Sequence, residues 1–222
     1  PLNTASMILR SFLENQGITI NKSTVFNKGP QNKTFLFQHT SRSLEELIKI
    51  ANLYSNNLMM DMLTCRMGSF FNSTPQKACE TGLNLIKKFS STIDKQIFLY
   101  EPSGLSNKNK LSSQAVVALL AYMHKRFAFS SDFISCLAKA GSTGTLLERF
   151  KNSLLKGVLR AKTGTLTEPL SVSSLAGYLY HPKHKLLAFS FIQNGKQKKK
   201  QPSILTLRNT QEKQLHSIYK NL

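Results

Sequence analysis

The chain has 222 residues, 41% of them hydrophobic, and a formal net charge of +19 from 30 Lys+Arg against 11 Asp+Glu. That suffices for one sizeable core with room for a second small lobe, and no apolar run approaches the roughly 20 residues of a membrane span. The positive charges are scattered, and no basic stretch is interleaved with aromatics, so the composition argues against a nucleic-acid-binding module and leaves an anionic polymer as substrate or neighbour open.

The first residues, Pro1 to Met7, lack the basic and apolar regions of a signal peptide, and a start at Pro1 reads as a fragment or processed product. Residues 4–16 read as an amphipathic helix with Met7, Ile8, Phe12 and Leu13 on one face and Gly17 as its stop. Ile18-Thr-Ile20 is a short extended piece, Asn27-Lys-Gly-Pro30 a turn, and Thr34-Phe-Leu-Phe-Gln38 a strand. Ser43 with Glu46 three residues on is a capping-box pattern, followed by Leu44, Leu47, Ile48 and Ala51 at helical spacing. Ser55-Asn56-Asn57 then separates this helix from the apolar helix that begins Leu58-Met-Met. Three small polar residues there serve either as a cap for the second helix or as a site.

Thr74-Pro75 opens another helix, with Pro at the first helical position. Gln96-Ile-Phe-Leu-Tyr100 is extended and runs into a tight loop, Glu101-Pro-Ser-Gly-Leu-Ser-Asn107. Ser112 and Ser113 offer caps for a helix over 114–125, a short helix covers 131–138, and residues 146–155 are amphipathic after a glycine turn. The period then changes. Residues 157–166, 171–180 and 185–193 are β-rich, Tyr180-His-Pro-Lys-His184 reads as a hairpin turn, and Lys196-Gln-Lys-Lys-Lys200 as a solvated turn or loop beside Asn194-Gly195. Residues 211–222 form a closing helix. Helices first, antiparallel strands next and a helix last make an α+β arrangement, helical over about 1–156 and sheet-forming with its closing helix over about 157–222.

The three cysteines, Cys65, Cys79 and Cys136, show no metal-ligand spacing, and Cys79 and Cys136 read as small core residues. The five histidines do not cluster with acidic residues. Neither a metal site nor a Ser-His-Asp triad is expected.

Lys162-Thr163-Gly164-Thr165 lies within the first of the late strands. It offers a cation, two hydroxyls and a residue without a side chain, where a ligand or another backbone can approach. A strand edge of this kind suits an anion or the carboxylate end of a peptide. On its own Lys-Thr-Gly is weak; with Ser55-x-Asn57 upstream it matches two of the three motifs of penicillin-binding proteins and related β-lactamases, in order.

The chain resembles the D-alanyl-D-alanine carboxypeptidases/endopeptidases of the peptidase S13, penicillin-binding protein 4 type. Ser55-Asn-Asn followed by Asp61, Pro102-Ser-Gly-Leu-Ser106 with Asn109, Gly141–Arg149, and Arg160–Leu166 followed by Ser174-Leu-Ala-Gly-Tyr178 all carry the resemblance. It departs at Glu101-Pro102, where Asp-Gly is more usual, and at Thr167-Glu-Pro-Leu170, a small insertion. The resemblance implies the C-terminal part of a penicillin-recognising serine transpeptidase/β-lactamase-like domain, residues 1–222 forming a single incomplete DD-peptidase domain. It implies catalytic roles for Ser55, Asn57 and Lys162 and substrate binding at Thr163, Gly164 and Thr165. Peptidoglycan stem peptides are the implied substrates, β-lactam antibiotics the implied inhibitors, and no cofactor is needed. The implied address of the intact protein is the periplasm or cell envelope.

The nucleophile motif Ser-x-x-Lys should precede Ser55, and none does. The one literal match, Ser153-Leu-Leu-Lys156, reads as a solvated helix end, and Thr74 to Lys77 and Thr92 to Lys95 have the spacing without the serine. The expectation is a chain that lacks its nucleophile and the accessory domains inserted upstream. A non-catalytic peptidoglycan- or protein-binding remnant of the same fold is the alternative, and a basic nucleic-acid-binding protein the lesser one.

Overall fold

The computed structural model describes residues 2–25, 38–72, 74–195 and 202–222. The expected turns at 27–30 and 196–200 and residues 34–37 of the expected strand lie outside them. Residues 1–41 and 42–222 form two compact units.

In the first unit, helix α1 spans Leu2–Asn15 and is broken at Gly17, whose φ of 82° is left-handed. Arg10 ties the following segment down, donating to the carbonyls of Ile20 at 2.6 Å and Lys22 at 2.9 Å while pairing with Glu14.

The second unit begins with α2 (Leu44–Tyr54), capped by Ser43 and Glu46 in the reciprocal capping box expected from sequence. Helix α3 (Asn57–Ser69) and helix α4 (Pro75–Ile93) follow. These two cross at backbone contact. A methyl group placed on Gly68 would lie 1.8 Å from the Ala78 carbonyl oxygen, and one on Gly82 would lie 1.9 Å from that of Thr64. Cys65 and Cys79 are joined by a disulfide at this crossing. That corrects the reading of Cys79 as a plain core residue: the close approach of the helices brings its sulfur to a partner 14 positions away. Cys136 is free and buried, as expected.

Helix α5 (Ser113–His124) is capped by Ser112, whose hydroxyl accepts from the Ala115 amide at 3.0 Å. Helix α6 spans Phe127–Ser135. The helix expected over 131–138 therefore starts earlier and stops sooner, because Ala138–Lys139 leaves it to pair as strand β1 with Ala161 and Arg160. The amphipathic segment expected over 146–155 is a short 3-10 turn at Gly144–Leu146 followed by irregular turns. Left-handed backbone at Gly141, Phe150 and Gly157 folds it on itself. Leu146, Phe150 and Leu155 are buried as a plug, so their near-helical spacing reflects burial without a helix.

Strands β2 (Leu159–Leu166), β3 (Val172–His181) and β4 (Lys185–Asn194) complete a four-stranded antiparallel sheet in the order β1-β2-β3-β4. The turn at 182–184 joins β3 to β4 as expected. Helix α7 (Ile204–Asn221) is longer than the closing helix read from sequence. Alternation along the strands feeds two cores. Leu159, Ala161, Leu175 and Leu179 pack with Leu215 of α7 and the 146–155 plug. Tyr178 turns the other way, toward Leu120, with Val116 and Phe133 around it. Its hydroxyl donates to the Leu120 carbonyl at 2.7 Å, and burial pushes its pKa up to about 12.

Candidate active site

The α2–α3 junction presents Ser55 and Asn57 because its three residues divide the work. Ser55 closes α2 in a left-handed conformation, φ 54° and ψ 49°. Asn56 caps α3, its side chain accepting from the Met59 amide at 3.0 Å. Asn56 is therefore the cap, and the residues on either side of it, Ser55 and Asn57, line the same pocket. Asn57 donates from Nδ2 to the Ser103 carbonyl at 2.8 Å.

Lys162 reaches across from β2. Its Nζ donates to Ser55 Oγ at 2.7 Å and to the Thr163 carbonyl at 2.8 Å. Burial lowers its pKa to about 8, since a desolvated ammonium is costly. It remains charged at neutral pH, and no carboxylate among the described residues lies within ion-pair distance of it. Thr163 Oγ1 donates to Thr145 Oγ1 at 2.9 Å, and Thr165 Oγ1 accepts from Arg208 Nη2 at 3.1 Å. Gly164 lies close under Ser174: a methyl group there would meet Ser174 Oγ at 2.3 Å and oblige that hydroxyl to turn away. Strand β1 pairs only with Arg160 and Ala161, so among the described strands none covers the outer edge of β2 at 162–166.

These groups line a pocket of about 360 Å³ with Ser103 and Gly104. It adjoins, through Gly104 and residues 162–165, a larger cleft of about 1030 Å³ walled by Phe98, Tyr100, Leu111, Val116 and Ile192. All six residues singled out from sequence, Ser55, Asn57, Lys162, Thr163, Gly164 and Thr165, meet at the smaller pocket. Ser153 and Lys156 line neither, and they sit in a turn, where a helix end was expected.

Sequence reasoning found the 101–107 loop without its organiser. The Glu101 carboxylate accepts from the amides of Ser103 at 2.7 Å and Ser106 at 2.9 Å, from the Ser103 hydroxyl, and from Asn109 Nδ2 at 3.0 Å. Burial alone would raise its pKa; the hydrogen bonds outweigh it and hold the carboxyl below its usual range. Asp61, one helical turn along α3 from Asn57, is pushed up by burial and by the charge of Glu101. The loop's grip on Asn57 has no sequence signal beyond its Ser-Gly-Leu-Ser spacing. Arg208 was missed altogether, because nothing in spacing links a residue of the last helix to β2.

The sequence matches the D-Ala-D-Ala carboxypeptidase 3 (S13) family over residues 1–213. The chain belongs to that family. Among its relatives, this S13 chain is 29% identical over 201 residues to penicillin-sensitive carboxypeptidase A of Dictyostelium discoideum, covering 85% of this chain and 37% of that protein. It is 29% identical over 206 residues to the D-alanyl-D-alanine carboxypeptidase of an Actinomadura species, covering 88% and 37%. The crystal structure of penicillin binding protein 4 (dacB) from Haemophilus influenzae shares the fold, with a TM-score of 0.71 over 97% of this chain and 48% of that one at 24% identity. The same relative has been solved complexed with a novel β-lactam. This S13 chain thus spans under half the length of the curated relatives it matches.

Proposed function

We propose that the intact protein is a serine-type D-Ala-D-Ala carboxypeptidase/endopeptidase acting on peptidoglycan stem peptides, and that these 222 residues form most of one site without its nucleophile. The observation that carries this is the 2.7 Å hydrogen bond between Lys162 Nζ and Ser55 Oγ, which joins two motifs 107 residues apart. A serine outside this chain attacks the carbonyl between two D-alanines, and a lysine paired with it takes the proton. Ser55 relays that proton to the leaving amine. Asn57 holds the substrate's amide. Lys162 supplies positive field, Thr163 binds the terminal carboxylate, and the Thr165 amide completes the oxyanion hole with that of the attacking serine. Gly164 lets the peptide lie close against the strand. Water then hydrolyses the acyl-enzyme, the step at which a β-lactam stalls.

A cell-envelope location fits the family and the Cys65–Cys79 disulfide, which belongs in an oxidising compartment. No helix among the described residues is long and apolar enough to cross a membrane.

The test is labelling with a fluorescent penicillin. The full-length protein is expected to form a covalent adduct and the 222-residue chain alone none; a stable adduct on the chain alone overturns the placement of the nucleophile. In the full-length protein, Lys162→Ala and Asn57→Ala each slow acylation sharply, and wild-type rates in both remove the site assignment. A full-length protein that binds stem peptides yet never labels is the non-catalytic remnant instead.

A further inference from the structure

The corner between α5 and α6 takes no part in the site. Further along α6, Phe133 and Ile134 pack against the Leu120–Tyr178 core, but the first turn of the helix has no such cover. Phe127 there is 99% exposed and Phe129 62%. Rings so placed contribute little to the fold and keep nearly all their apolar surface in water. Two more aromatics adjoin them. Phe89 of α4 meets Tyr122 of α5 edge to face at 5.6 Å, and the Arg126 guanidinium lies 4.5 Å from the Tyr122 ring centre while donating to its hydroxyl. None of these residues lines either pocket.

Cations flank the rings. Lys125 and Arg126 precede Phe127, Lys87 and Lys88 precede Phe89, and all four are exposed. No carboxylate among the described residues lies within ion-pair distance of any of them. Residues 84–93 and 121–131 include no acid, with Asp94 and Asp132 just beyond. This composition separates two kinds of partner. Lysine is depleted at protein–protein interfaces. At a bilayer surface its long stem lies along the apolar layer while its ammonium stays among the headgroups, and aromatic rings sit at the boundary beside it.

We propose that the α5–α6 corner is a membrane-contact surface: Phe127 and Phe129 enter the interfacial layer of a bilayer rich in anionic lipid, and Lys87, Lys88, Lys125 and Arg126 lie over its phosphates. Neither signal suffices for anchoring by itself; together they give reversible, peripheral attachment. The inference goes beyond the peptidase reading and stands independently of it.

The experiment sediments the full-length protein with vesicles of phosphatidylcholine alone and of an equal mixture with phosphatidylglycerol. Wild type is expected to bind the mixed vesicles and to bind the neutral ones at least tenfold more weakly. Phe127→Ser with Phe129→Ser weakens binding to the mixed vesicles about tenfold or more, and Lys125→Gln with Arg126→Gln about tenfold. Phe127→Trp with Phe129→Trp binds at least as tightly as wild type, because tryptophan favours the interface. A loss in the tryptophan pair equal to that in the serine pair means that the rings act through the fold, and overturns the proposal. So does wild-type binding in the serine and glutamine variants, which assigns attachment to the general basicity of the surface. Failure of wild type to bind the mixed vesicles overturns it as well, and a dimer of wild type that the serine pair dissociates then gives the corner to a second copy.

Discussion

Lys162 is a partly buried cation at the meeting of the two pockets. Its pKa falls from 10.5 to about 8 through burial, a ceiling of roughly 3 kcal/mol of lost stability at neutral pH. The unfolded chain holds that proton up to about 10.5, and the folded chain releases it near 8. Between those values the unfolded state binds more protons, so stability rises with pH there. Lys162→Met is therefore expected to unfold at higher urea than wild type at pH 6, with the advantage shrinking between pH 8 and 10.5. A difference that is the same at both ends would mean that the hydroxyl of Ser55 and the Thr163 carbonyl fully offset the desolvation. At this scale the sequence was informative because chemistry is carried by residue type: Ser55, Asn57 and Lys162 were singled out by type and order, and they line one pocket. Arg208 and Glu101 were not, since an arginine in a helix or a glutamate before a proline has many ordinary uses.

Elements were legible where a local rule fixes them. The Ser43–Glu46 box and the turn at 182–184 are decided within a few residues, and both formed. Residues 146–155 misled because burial of Leu146, Phe150 and Leu155 imitates a helical period while left-handed turns dictate the path. The α3–α4 crossing was invisible for a different reason. Gly68, Ala78 and Gly82 are unremarkable in sequence, yet they let two backbones touch and so decide that Cys65 meets Cys79. Closing a loop of 14 positions restricts the unfolded chain by about 3 kcal/mol. Replacing both cysteines by serine is expected to lower the unfolding free energy by about that amount, read from denaturant midpoints. A loss near zero would mean that the glycine contact alone holds the helices together.

Across the whole molecule, α7 closes the fold by a polar seam laid over an apolar one. Leu215 is in the main core, while Gln211, fully buried, donates to the Ser173 carbonyl at 3.0 Å and accepts from Arg149. Arg149 is the more deeply buried of its ion pair, its side chain 11% exposed against 30% for Glu212. Burial and Arg208 lower its pKa, and Glu212 supports its charge. Glu212→Ala should therefore cost more stability than Arg149→Met, about 3 kcal/mol or more, because it strands a buried cation beside a second one. Equal thermal shifts for the two variants would show that the charge of Arg149 finds water once its partner is gone. That seam joins residues some 60 positions apart, which is why no local pattern announced it.

The uncovered edge of β2 has one more consequence. Backbone amides and carbonyls left open for a peptide are equally open to the same strand of another copy. Nothing in the hydrogen-bonding chemistry of residues 162–166 tells an extended peptide from a neighbour's β-strand. What separates them is charge. With a net charge of +19, two copies of this chain repel each other, which opposes edge-to-edge pairing. The protection weakens as salt shortens the reach of those charges to about 8 Å and below.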